Sequence, residues 1–406
     1  MPSPRPYQLA GRDFLAGRRH ALLADEMRVG KTPQAILAAH KAGAKSMLVV
    51  CPAIAVPQWE AEIPRWWPGG PLPRFQALSY DRARALWEGG INGKVDVFVV
   101  DEAHFAKNPD AKRTRAVYGK TGFAAKAGAT WALSGTPATK HAAELWPMLY
   151  AFGATRLGYA DFVSRYCTVN DWTKQITGTR ADHLPELREL LGKVMLRRTR
   201  KDVAPEMPTI GFEYMPVEPD SPTRTTVPDG LDDAALLAWL EGHPTADRED
   251  RIGVARAKGY VLADEIVECL AQGQYQQTVV FGWHVEPIHT LTTVLQKAGV
   301  KAASITGATT PKQRVEIQRQ FKAGELQVVL ANIIAAGTAI DLSAASHGYF
   351  LELAWVPGHN MQAANRLVSI QKDEPVTFDV VTWRGTTDDR VQKVLLQRAQ
   401  QLSRMY

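Results

Sequence analysis

The sequence predicts an α/β protein of two units, each a mostly parallel sheet flanked by helices. Three observations carry this. Short apolar runs rich in β-branched residues alternate with helical patterns at 45–52, 95–104 and 129–137. The same rhythm returns at 277–283, 301–307, 326–333, 348–355 and 376–383, beyond a proline-rich stretch. Apolar strands that end in small or acidic residues and are separated by helices are how a sheet buried on both faces reads. A chain of 406 residues also exceeds one ordinary core, and roughly 100 to 200 residues per domain makes two units the first expectation.

Taken in order, ALLA (21–24) is a short apolar run leading into Gly30-Lys31-Thr32 and then the helical pattern TPQAILAAHKAG. KSMLVVCP, VDVFVVDEAH and ATWALSGTP follow as strands with turn or acidic residues at their ends. Seven prolines between 205 and 244 discourage regular structure, so the expected division is a first lobe at 1–204, an inter-lobe linker at 205–247 and a second lobe at 248–406. In the second lobe one helix is well marked: Thr310 can cap it, Pro311 suits its first position and Gly324 can end it.

Hydrophobic residues at 45% and charged residues at 22% describe a soluble globular chain. The net charge of +6 suits a polyanionic partner and equally suits a slightly basic solvated surface. Three scattered cysteines without a Cys-x-x-Cys pair exclude a disulfide framework or cysteine zinc site, and His104 and His284 have no partners at metal spacing, so no zinc is assigned. MPSPRPYQLAGRDF lacks a signal-peptide core and no run of some 18 apolar residues occurs, which points to a reducing cytosol and no membrane partner.

Gly30-Lys31-Thr32 stands between an apolar run and a helix. There, loop N–H groups can bind phosphate, Lys31 can reach the β and γ phosphates, and Thr32 can ligate magnesium. The triplet alone decides little, because Asp25 occupies the first glycine position of the full pattern. The second element is Asp101-Glu102-Ala103-His104 at the end of an apolar strand. Asp101 can hold the magnesium shell and Glu102 can polarise a water for attack on the γ phosphate. An isolated acidic pair at a strand end is usually a solvated cap; together with the triplet one sheet unit earlier, it points to ATP and Mg2+.

These motifs resemble those of the Swi/Snf-type ATP-dependent DNA translocases within helicase superfamily two, in that family's order. RPYQ (5–8), with Arg5 and Gln8, matches the adenine-reading glutamine motif; DEMRVGKT (25–32) the phosphate loop; LVVCPAIAVPQWEAEI (48–63) the first DNA-contact motif. LSYD (78–81), DEAH (101–104), LSGTP (133–137) and MLRRTRKDV (195–203) follow. The second half adds VVFGWHVEPI (279–288), ITGATTPKQR (305–314), AAGTAIDLSAAS (335–346) and QAANRLVSIQK (362–372). The likeness covers about residues 3–390, and ELAWVPG (352–358) is most similar to the compact branch of annealing helicases and stand-alone bacterial or phage members, hence a bacterial or phage-infected cytosol.

The resemblance implies two RecA-like lobes with ATP in the cleft between them. Gln8 and Arg5 would serve the adenine, and Asp25, Met27, Arg28, Val29, Gly30, Lys31 and Thr32 the phosphates. Asp101 and Glu102 would serve metal and water, and Ser134 and Thr136 would couple hydrolysis to DNA. Gly337, Asp341, Gln362 and Arg366 would complete the site from the second lobe. Arg197 and Arg198, in a cluster with Arg200 and Lys201, and Arg314 beyond the TGATT turn are expected at DNA or in lobe coupling; the bland reading of the cluster is a solvated helix end. Trp66 and Trp67 either stack on a base or, as large aromatics usually do, cover the lobe's edge.

Three positions depart from the family pattern. Ser369 stands where a second arginine would face the γ phosphate, Ala339 replaces a glycine, and Arg28 replaces a small loop residue. Arg28 is expected to point to solvent; the sharper alternative is that it supplies the charge Ser369 lacks. The expected activity is an ATP-driven translocase on duplex or branched DNA, acting as a monomer and without sequence preference. The competing reading, motivated by Ser369, is an ATP-gated DNA clamp with little hydrolysis.

Overall fold

The computed structural model describes residues 2–91, 93–170, 174–218, 228, 230–231, 235–236, 239–240, 243–336, 340–369, 372–386, 388–392 and 394–395. The chain forms two compact units that part between Pro205 and Glu206.

The first unit contains β1 (His20–Leu23), β2 (Ser46–Cys51), β3 (Arg74–Ser79), β4 (Val95–Asp101), β5 (Ala127–Leu133), the hairpin β6 (Cys167–Val169) and β7 (Ile176–Thr179), and β8 (Met195–Leu196). Six of these form one sheet in the order β3-β2-β4-β5-β1-β8, with every pair parallel. Leu23 and Asp101 both stand beside Leu133 in the register, so the turns that follow β1, β4 and β5 leave one edge side by side. That edge, at the carboxyl ends of the strands, is where α/β sheets bind ligands.

Alternate residues feed two cores, as the period of a strand requires. Leu22, Val50 and Phe98 pack on one face, and Leu23, Val49, Trp59 and Trp131 on the other. Trp66 and Trp67 belong to the second core, which makes them cover for the sheet rather than platforms for a base.

The second unit contains β9 (Ile210–Val217), β10 (Thr278–Gly282), β11 (Ala302–Ile305), β12 (Val328–Asn332), β13 (His347–Phe350) and β14 (Val376–Trp383), all parallel in the order β11-β12-β10-β13-β14-β9. Helix Pro311–Lys322 starts as the sequence indicates: the Thr310 hydroxyl accepts the Gln313 N–H, the Gln313 side chain accepts the Thr310 N–H at 2.9 Å, and the chain leaves through Gly324 at φ +74°. Among the described residues no helix is long and apolar enough to cross a membrane.

The segment 205–247 is not linker throughout. Residues 210–217 pair with β14 over their whole length, and Phe212 stacks on Phe378 with ring centroids 5.8 Å apart. Proline hides this strand in the sequence, yet Pro216 is tolerated because β9 lies at the sheet edge. A fragment 206–406 is therefore expected to melt cooperatively, whereas one that starts at 248, without β9, should melt at a clearly lower temperature by circular dichroism.

Candidate functional site

β1 ends at Leu23, and the chain then turns through Asp25–Gly30 into helix Lys31–Lys41. Gly30 caps that helix at φ +77°, and Arg28 also lies in the left-handed region at φ +69°. A small residue is usual at such a position because a side chain there is strained. Arg28 is half-buried, so the expectation that it simply points to solvent is not met.

Asp25, which displaces the first glycine of the usual loop, is fully buried. Its carboxylate accepts from Arg198 Nε at 3.0 Å and Nη2 at 2.5 Å, and from Gln34 Nε2 at 3.2 Å. Arg198 also donates to the Gln34 side-chain oxygen at 2.9 Å and to the Tyr7 carbonyl at 2.7 Å. Gln8 closes the other side: its oxygen accepts the Arg5 N–H at 2.9 Å and its nitrogen faces the Val29 carbonyl at 3.5 Å. A Cβ on Gly30 would come 2.5 Å from that nitrogen and displace the Gln8 amide, while the φ of +77° is what favours glycine there.

The three arginines of the basic cluster at 197–201 thus bond within the first unit, which is the structural alternative for them. Arg197 donates to the carbonyls of Ala24 and Gly135 at 3.3 Å each, and Arg200 pairs with Glu26 at 2.9 Å. Of the four, Lys201 is exposed.

Lys31 Nζ donates to the carbonyls of Asp25 at 2.9 Å and Glu26 at 3.1 Å, folded back along its own loop. Burial pulls its pKa down, against the upward pull of Glu102, Asp25 and Asp101. Asp101 is raised to about 7, by burial first and by the neighbouring Glu102 second. Its Oδ2 accepts the Trp59 indole N–H at 2.8 Å and its Oδ1 the Glu102 N–H at 3.0 Å. The Tyr80 hydroxyl donates to the carbonyls of Asp101 at 2.8 Å and Glu102 at 3.2 Å. Glu102 itself has φ +49°, an uncommon conformation for a non-glycine residue and one that concentrates at functional sites.

The next turn meets both. His104 Nδ1 lies 3.1 Å from Ser134 Oγ and 3.4 Å from Glu102 Oε2, and Ser134 Oγ accepts the Thr136 N–H at 3.2 Å. Burial drives the His104 pKa down to about 3, so the ring is neutral at physiological pH. A Cβ on Gly135 would stand 3.5 Å from Lys31 Nζ, which puts LSGTP directly against the phosphate loop. The loop, the carboxylate pair and LSGTP form one site in the first unit. Trp59, Tyr80, Gln34 and His104 complete it, and sequence reasoning assigned them no role because their partners lie far away in the chain.

Among the described residues no three His, Cys, Asp or Glu side chains gather as a metal cage. The donors at the loop are hard oxygens, the Thr32 hydroxyl in the first helical turn and the Asp101 carboxylate. That sparse set fits Mg2+, which is commonly held by one or two carboxylates together with substrate phosphates.

In the second unit Arg314 donates to the carbonyls of Thr306 at 2.8 Å, Thr309 at 3.0 Å and Ala335 at 3.0 Å. Its guanidinium therefore shapes the TGATT turn. Asp341 accepts the Ser343 N–H at 3.3 Å, and Arg366 O accepts the Leu342 N–H at 3.0 Å, which joins 335–346 to 362–372. Gln362 is buried and Arg366 half-buried. Gly337 and Ala339 lie outside the described residues.

The signature of the SNF2-related domain matches residues 7–88 and 79–222, and that of the helicase conserved C-terminal domain matches 261–371. The SWI/SNF-related matrix-associated actin-dependent regulator of chromatin subfamily A-like protein 1 of Xenopus laevis is 28% identical over 95% of this chain and 42% of its own length. The DNA annealing helicase and endonuclease ZRANB3 of Mus musculus is 26% identical over 97% of this chain and 40% of its own. The chain thus spans about two fifths of the length of these relatives. In fold it is similar to the Pyrococcus furiosus Hef helicase domain, with TM-score 0.52, 15% identity, and coverage of 96% of this chain and 98% of that one.

Arg198→Ala strands a buried carboxylate and is expected to destabilise the first unit by about 3–5 kcal/mol, read from urea unfolding; Asp25→Asn with Arg198→Met should recover part of that loss. Asp101 gives a second prediction. Its folded pKa of about 7 lies above the unfolded value near 4, so its contribution to stability is fully present below about pH 4 and is lost as pH rises through about 7. In metal-free protein, Asp101→Asn should flatten the fall in melting temperature between pH 5 and pH 8.

Proposed function

The chain belongs to the SNF2-related family of helicase-like ATPases, and from that membership we propose that it hydrolyses ATP in response to DNA and uses the cycle to move along duplex or branched DNA. The observation that supports this most is the convergence in one unit of the phosphate loop, the Asp101–Glu102 pair and LSGTP, with His104 at 3.1 Å from Ser134. Lys31 binds the β and γ phosphates, exchanging its loop carbonyls for phosphate oxygens. Glu102 polarises the attacking water. Thr32 and Asp101 would hold Mg2+, which when bound would supply charge neutralisation at the phosphates. Ser134 and Thr136, tied to Glu102 through His104, sense the state of the γ phosphate. Gln8 and Arg5 serve the base, and Asp341, Gln362 and Arg366 are the second unit's contribution to turnover.

DNA is gripped by its backbone, through loop amides after PAIAV and TGATT, so binding is largely independent of sequence and weakens with salt. Annealing is one outcome of such movement that the name of the Mus musculus relative, a DNA annealing helicase, supports. The setting proposed is a reducing bacterial or phage-infected cytosol; the two relatives above are animal proteins, so this rests on the compact motif spacing alone.

The purified protein should hydrolyse ATP at least about tenfold faster with duplex or forked DNA. Glu102→Gln should lower turnover about 10²–10⁴-fold with ATP binding retained. A clamp would instead bind ATP and DNA and give no Glu102-dependent product in a single-turnover assay. Arg366→Ala should cost about 10³-fold. If Arg28→Gly leaves the DNA-stimulated rate unchanged while Arg366→Ala abolishes it, Arg28 does not replace the charge missing at Ser369.

A further inference from the structure

A buried tryptophan needs apolar neighbours for its rings and one acceptor for its N–H. Trp131 gives its N–H to the Arg18 carbonyl at 3.0 Å, and Trp66 gives its own to Glu62 one turn back on the same helix at 2.6 Å. Trp59 instead reaches a different element. It is 1% exposed and gives its N–H at 2.8 Å to the side chain of Asp101, the residue whose carboxylate faces the phosphate loop.

Asp101 Oδ1 is oriented by the N–H of the next residue, Glu102, but Oδ2 is oriented from another element altogether. That element is helix Val56–Trp66, which starts where the turn Ala53–Ala55 ends, directly after β2. The turn is accessible: Ala53 is exposed, and Pro57 and Gln58 at the head of the helix are exposed too. Trp59 is one helical turn from that head and is buried, while its neighbours Gln58 and Glu60 are exposed. The indole is therefore the short, packed link between a solvent-facing turn and the half-buried Asp101 carboxylate.

We propose that Trp59 is a positioning residue: its indole N–H fixes the Asp101 carboxylate for Mg2+ and ties it to the turn Ala53–Ala55, so that a DNA phosphate gripped at the turn tunes how metal and nucleotide are held. The proposal rests on the ATPase reading above, and the test separates the two. Phe in place of Trp keeps an apolar ring in the core and removes only the donor and part of the ring system.

ATP affinity is measured by titration calorimetry on the full chain carrying Glu102→Gln, with and without Trp59→Phe. Measurements are made in EDTA, in Mg2+, and in Mg2+ with duplex DNA. Trp59→Phe should leave the EDTA affinity within about twofold and reduce the gain on adding Mg2+ about tenfold, the scale of one hydrogen bond to a charged acceptor. Duplex DNA should change the Mg2+-ATP affinity of the Glu102→Gln parent and leave that of the double variant unchanged. An equal Mg2+ gain in both proteins, a parallel loss in EDTA and Mg2+, or an equal DNA response in both overturns the inference and leaves the ATPase reading intact. A parent that binds no ATP in any condition overturns that reading itself.

Discussion

Arg198 reaches from the end of β8 into the interior of the phosphate loop, where Asp25 has no solvent contact. A charge in that position is tolerated only when it is paired and hydrogen-bonded, and this one is: the Asp25 carboxylate accepts from both Arg198 and Gln34, and Arg198 continues to Tyr7. Four segments are fixed relative to one another by this network: the glutamine-motif helix, the loop, the first turn-and-a-half of helix Lys31–Lys41, and the chain that closes the first sheet. A loop made with glycine at position 25 would have freedom that this one lacks. Here the geometry that receives phosphate is set before nucleotide arrives, so less ordering is left for binding to impose.

The parallel sheet supplies the rest. With β1, β4 and β5 in adjoining registers, the residues that follow their ends come together without any long excursion of the chain. Two of them have positive φ, Arg28 and Glu102, which is strain that the surrounding packing holds in place. Glu102 is held from three sides: by the Asp101 carboxylate that accepts its N–H, by Tyr80 on its carbonyl, and by His104 near its carboxylate. Neutral His104 passes that contact to Ser134 and the LSGTP turn, which rests on Lys31. A single run of side chains thus connects Glu102, His104, Ser134 and Lys31.

Much of this was legible in the chain because each motif lies at a strand end, where apolar periodicity stops and chemistry begins. β2, β4, β5, β10 to β14 and the cap at Thr310 could be read so. What could not be read has a common physical cause, namely partners distant in sequence. Arg197, Arg198 and Arg200 look like a basic surface until Ala24, Asp25 and Glu26 are placed beneath them. The three carbonyls that Arg314 bonds, of Thr306, Thr309 and Ala335, gave no signal either. β9 was masked by Pro208 and Pro216, which exclude a central strand but not an edge one. Trp59 carried no signal, since nothing in its spacing points to Asp101.

A motor differs from an ATPase in that the hydrolysis cycle must do mechanical work on DNA, and the coupled turns of the first unit are the part of the fold suited to transmit it. Displacement of a third strand from a triplex on linear duplex DNA tests this most directly. The account predicts release that requires hydrolysable ATP and stops with Glu102→Gln. Full DNA-stimulated ATP turnover without any triplex release would contradict it.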